Sequence, residues 1–114
     1  VAQAKAIAEK TGVSIVESTE LSAANGADVI YADTWLSMGD ETPLEVIKEK
    51  FMPYQVNEAL MEATGASYVM HCQPAHRDLE ITGSLIDSDK SLLMQQAENR
   101  MHGQNAILTQ LLNA

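Results

Sequence analysis

Cysteine occurs once in the 114 residues, as Cys72, so no disulfide can close within the chain. A reducing, cytoplasmic setting fits that usage. Basic residues are also scarce. Seven lysines and arginines against sixteen acidic residues give a formal net charge of −9. A surface this negative repels phosphate backbones and anionic lipid, which argues against nucleic-acid and membrane-surface roles. No apolar run approaches the roughly 20 residues that span a bilayer. The first ten residues, VAQAKAIAEK, lack the unbroken apolar core of a signal peptide. GxGxxG, a Walker loop, HExxH and paired CxxC are all missing, so the common cofactor classes have no support and neither cofactor nor metal is expected. What remains is ordinary for one soluble domain: 46% hydrophobic and 20% charged residues, with no repeat, linker or low-complexity stretch.

The hydrophobic pattern predicts alternating helices and short strands. Residues 1–10 read as an amphipathic helix already in mid-course, closed by Gly12 in the left-handed region. The chain therefore reads as the C-terminal piece of something longer. Residues 13–16 (VSIV) suggest a strand, 20–25 a short helix closed by Gly26, and 28–33 (DVIYAD) a strand covered on both faces. Thr42, Pro43 and Glu45 form a capping-box pattern before a helix that buries Leu44, Val46, Ile47 and Phe51 and breaks at Pro53. A helix over 57–63 ends near Gly65. Residues 68–72 (YVMHC) give a third strand ended by Pro74, 79–85 an irregular or weakly helical stretch, 91–94 (SLLM) a fourth strand, and 99–113 a final helix. Strands alternating with helices imply an α/β fold, a Rossmann-like parallel sheet flanked by helices.

Ligands of open parallel sheets bind beyond the carboxyl ends of the strands. Three polar clusters fall at such ends: Asp33 with Ser37, Met38 and Gly39; His71 to Arg77; and Gln95 to Arg100. Asp33 is either a carboxylate that handles an amine or a turn cap, and the spacing alone favours the cap. Residues 37–39 are either a segment that closes over a ligand or an ordinary loop. Trp35, the only tryptophan, reads as a core or hinge anchor. Cys72 carries three readings: a reactive or substrate-contacting thiol favoured by nearby His71, His76 and Arg77; a metal ligand with the histidines; or an inert buried cysteine. Metal is the weakest, since adjacent strand residues His71 and Cys72 point to opposite faces. Pro74 follows either a cis or the commoner trans peptide bond. Arg100 offers five fixed donors to a carboxylate, phosphate or carbamoyl oxygen, or it forms a salt bridge with Glu98 or a neighbouring carboxylate. His102 reads as a surface or packing residue, and Asp40-Glu41 as a solvated pair.

Taken together, DTWLSMG (residues 33–39), MHCQPAHR (70–77) and AENRMHGQNA (97–106), with MPYQVNEALM (52–61) between the first two, resemble the ornithine carbamoyltransferase family. Each motif is modest alone; their order and spacing are specific, and the likeness runs from about Gly26 to the C-terminus. The resemblance implies a two-domain α/β enzyme that moves the carbamoyl group of carbamoyl phosphate onto the side-chain amine of L-ornithine, giving L-citrulline and phosphate in arginine metabolism. Residues 1–114 would be its C-terminal ornithine-binding domain, incomplete and inactive alone. The parent would be a homotrimer needing no cofactor. Asp33 would contact the attacking amine, and Ser37 and Met38 the amino-acid end of ornithine. Cys72 would lie beside the amine, the backbone carbonyls of Cys72 and Gln73 would meet the amino group of carbamoyl phosphate, and Arg100 would stabilise the carbamoyl oxygen as it gains charge. The family usually has leucine where this chain has Gln73, and its Ser-Thr-Arg-Thr phosphate loop is not among these residues. Putrescine or another diamine is the nearest alternative acceptor. A non-catalytic amino-acid-binding domain and a Cys72-dependent redox or hydrolytic enzyme are the rivals from other classes.

Overall fold

The computed structural model describes residues 1–36, 39 and 41–113. Helix α1 (Ala2–Thr11) ends at Gly12, whose φ of 76° is the left-handed cap expected there. The next segment departs from expectation. Residues 13–16 form no strand, and Val13 and Val16 are well exposed. β-branched residues favour a pleated strand only where a neighbour pairs with it, and among the described residues none does. A 3-10 turn over Leu21–Ala24 replaces the short helix, and the following Gly26 N–H donates to Thr64 O at 2.8 Å.

Strand β1 (Val29–Ala32) and strand β2 (Tyr68–His71) form a parallel pair in the register Val29↔Tyr68 through Ala32↔His71. Val29, Ile30 and Tyr31 of the first and Tyr68 and Val69 of the second are strand-favouring β-branched or aromatic residues. β1 is not covered on both faces as its apolar run suggests, since Tyr31 is 56% exposed. Between the strands lie α2 (Leu44–Phe51), a 3-10 turn (Met52–Tyr54) and α3 (Glu58–Thr64). Helix α2 starts one residue later than the capping-box pattern implies, with Pro43 at the cap, and Ile47 is its buried residue while Leu44 and Val46 are exposed. Helix α3 is capped at both ends: Asn57 Oδ1 accepts the Leu60 N–H at 2.9 Å, and Gly65 closes it at φ 78°.

After β2 comes a single helical turn, α4 (Gly83–Ile86), then α5 (Leu93–Leu112). The fourth strand is not formed. Residues 90–92 pair with β2 through one bridge, Val69↔Ser91, and Leu92 has already left the extended region at ψ 14°. Helix α5 therefore begins six residues before the expected residue 99. The intervening Met94, Gln95, Gln96, Ala97 and Glu98 are all strong helix formers. Ala32, Val56, Met61, Ala66, Val69, Ile81, Leu85 and Leu93 make one buried cluster. The Cα radius of gyration is 16.8 Å, whereas a compact chain of this length has about 13 Å. The outlying apolar residues Ile7, Ile107, Leu108, Leu111 and Leu112 are exposed, so the helical spacing that foretold α1 and α5 does not here mark a covered face.

Candidate active site

The register of the sheet makes the site. Ala32 lies opposite His71, and Cys72 N–H donates to Ala32 O, so the next residues, Asp33 and Cys72, leave the two strands side by side. The Cys72 thiol donates to Asp33 Oδ1 at 2.8 Å, and the same oxygen accepts the Thr34 N–H at 2.8 Å. The thiol and then the amide hold the exposed Asp33 carboxyl below the usual carboxylate range. The thiol moves the other way. Partial burial, then the bond to Asp33, push Cys72 above an ordinary cysteine. Arg77, one of the neighbours expected to favour the thiolate, points elsewhere: its two terminal nitrogens grip Asp87 at 2.6 and 2.7 Å. A pH profile checks this. Alkylation of Cys72 by iodoacetamide should rise at higher pH than for an unstructured cysteine peptide; a profile at or below the peptide's refutes the assignment.

Arg100 reaches the same place from α5. A cleft of about 540 Å³ is lined by Tyr31, His71, Cys72, Gln73, Pro74, Gln96, Ala97 and Arg100. Asp33 faces an adjoining cleft with Thr34, Trp35 and Phe51, and Tyr31 lines both. Glu98 lies against His102 at 3.4 Å, and among the described residues no carboxylate forms an ion pair with Arg100. Among the described residues the guanidinium is thus not in the ion pair that was the alternative. It lies on the second turn of α5 rather than at its start. Gln73 adopts φ 53° and precedes a cis bond to Pro74. Its side-chain Nε2 donates to Leu93 O at 3.3 Å. Trp35 is half-buried and stacks on Phe51 with ring centroids 5.8 Å apart, as an anchor beside the loop. Ser37 and Met38 lie outside the described residues.

One charged residue escaped the sequence reading. Glu80 is buried behind the strand end, 1% exposed. Its Oε1 accepts from the His76 N–H at 2.6 Å and faces His71 Nε2 at 3.1 Å. The Gln73 N–H donates to His71 Nδ1 at 2.8 Å. Nδ1 is therefore the acceptor and Nε2 carries the proton towards Glu80. This buried layer stiffens the turn that holds Cys72, and it explains why His71 is fully buried while Cys72 stays partly open. The available signal was a lone carboxylate between Leu79 and Ile81, both core residues. No group of three or more metal-ligating side chains is gathered among the described residues.

With the geometry in place, comparison with known proteins decides the family. The sequence profile described as "Aspartate/ornithine carbamoyltransferase, Asp/Orn binding domain" matches residues 1–111. The chain belongs to this carbamoyltransferase family. It is 57% identical over 112 residues to the ornithine carbamoyltransferase of Vibrio sp. (strain 2693), covering 98% of this chain. It is 56% identical over 112 residues to that of Moritella abyssi, again over 98% of this chain. In both cases it spans 37% of the relative's length. Among solved carbamoyltransferases, the ornithine carbamoyltransferase from Pyrococcus furiosus superposes with a TM-score of 0.78 at 43% identity, covering 89% of this chain and 33% of that one. Such neighbours share the α/β architecture of a parallel sheet with flanking helices.

Proposed function

We propose that these residues form most of the ornithine-binding domain of a two-domain enzyme that carbamoylates L-ornithine to L-citrulline, releasing phosphate. The observation that carries this is the strand register that sets Asp33 against Cys72, with Arg100 lining the cleft that Cys72 shares. An amine attacks a carbonyl only when neutral, so the reaction needs a group that attracts the ammonium form and takes up its proton. Asp33, charged and accepting, is that group, and Cys72, held as a thiol, is the donor-acceptor beside it. The developing oxyanion on the carbamoyl carbon needs a fixed positive donor, the role assigned to Arg100. Backbone carbonyls of Cys72 and Gln73 receive the carbamoyl amino group. Much of the acceleration comes from holding two substrates in one cleft.

Ornithine is favoured as acceptor over a diamine on two grounds. The named relatives at 53–57% identity are ornithine carbamoyltransferases. The departure at Gln73 leaves its side-chain amide engaged with Leu93 O. Ser37 and Met38 would hold the amino-acid end. Homotrimeric assembly, a place in arginine biosynthesis and a cytoplasmic location belong to the same reading; among the described residues no helix is long and apolar enough to cross a membrane. The test is direct. The full-length protein, given carbamoyl phosphate, should form citrulline from ornithine faster than it carbamoylates putrescine, and the 114-residue chain alone should stay at background. Preference for putrescine overturns the acceptor, and absence of transfer to either overturns the reaction.

A further inference from the structure

Gln96 joins the two strands to the helix that carries Arg100. The odd-numbered residues of β2 turn their backbone groups away from β1, toward residues 90–92. Val69 N–H donates to Lys90 O, and Leu92 N–H to Val69 O, each at 2.9 Å. The next N–H on that edge is His71, but the chain has already turned into α5. The Gln96 side chain takes its place: Oε1 accepts the His71 N–H at 3.2 Å. A side-chain amide thus extends the ladder one step past the point where the backbone leaves it. The other end of that amide donates to the Tyr31 hydroxyl of β1 at 2.7 Å. The orientation is forced, because the His71 N–H can only donate.

Arg100 lies four residues after Gln96, hence on the same face of α5, and both line the cleft with Cys72. We propose that Gln96 is the positioning residue for Arg100: by clamping the first turn of α5 to the ends of both strands, it sets how far the guanidinium stands from the Asp33–Cys72 pair. This rests on the carbamoyl-transfer reading. The Gln73 amide adds a second tie, to Leu93 O on the same turn. A misplacement of about 1 Å at a reacting centre can cost on the order of 100-fold in rate.

The test uses the full-length protein. Gln96→Met keeps the length and removes both bonds; Tyr31→Phe removes one bond from a residue that is half exposed. Gln96→Met should lower kcat by about 10- to 100-fold while KM for ornithine changes less than about threefold, because the loss is in the transition state. Tyr31→Phe should lower kcat by a smaller factor, and the double variant should be no slower than Gln96→Met, since both changes break one clamp. Gln95→Met, on the neighbouring exposed position, is the control and should match wild type. Should Gln96→Met fail to fold, Tyr31→Phe alone decides, and an unchanged kcat there overturns the proposal. So does a Gln96→Met enzyme within twofold of wild type, or additive losses in the double variant. A wild type that forms no citrulline overturns this proposal together with the reaction, and its own rate tells that outcome apart from a failed clamp.

Discussion

Replacing Asp33 by asparagine in the full-length protein is expected to lower turnover by about 10²- to 10⁴-fold, the range spanned by loss of a positioned acid-base group. Asparagine keeps the shape and one acceptor oxygen, so the Cys72 and Thr34 hydrogen bonds to this position can persist. What goes is the charge. Asp33 is held below the ordinary carboxylate range, so it is ionised throughout the neutral and alkaline span in which an amine substrate loses its proton. Raising the pH supplies more neutral amine but does not restore the carboxylate proposed to receive its proton. The loss should therefore persist from pH 7 to 9 rather than disappear at the alkaline end. The same change removes a cause of the raised Cys72 thiol, so alkylation of Cys72 should shift toward lower pH. Citrulline formation, iodoacetamide profiles and thermal melts would be measured side by side. Turnover within threefold of wild type, with the fold intact, removes Asp33 from the mechanism.

Much of the candidate site's geometry is legible in the sequence, and the reason is topological. Parallel strands bring their carboxyl ends to one edge, so residues that follow a strand converge even when they lie 39 positions apart, as Asp33 and Cys72 do. The caps at Gly12 and Gly65 were readable because each needs a left-handed backbone that glycine supplies at little cost. Three features were not readable. Residues 13–16 have strand composition, but a strand exists only where a ladder partner does, and composition does not reveal partners. The N-terminal extent of α5 was hidden because SLLM is as apolar as a strand, while the residues after it simply prefer helix. Glu80 was invisible as a functional residue because its role depends on His71, nine positions away on the far face of the strand. Local pattern finds the groups that end a strand; it does not find the groups that sit behind them.

Arg100 makes the sharpest case for function over stability. It is exposed, begins no helix, and among the described residues forms no ion pair, so Arg100→Ala should leave the folded state nearly unchanged. Surface positions of that kind usually shift stability by less than about 0.5 kcal/mol. Turnover should nonetheless fall by about 10²- to 10³-fold in the full-length protein, as it does when a donor to a developing oxyanion is removed. Lysine is not an adequate substitute, because it offers one compact charge where arginine offers a planar fork of donors; Arg100→Lys should recover less than about a tenth of the wild-type rate. The effect should fall on kcat and on the carbamoyl phosphate KM, leaving the ornithine KM near its original value, since ornithine binding is assigned to the Asp33 side of the pair. A matched loss in thermal stability would instead mark Arg100 as a structural residue. A rise confined to the ornithine KM would place it on the acceptor rather than on the carbamoyl oxygen.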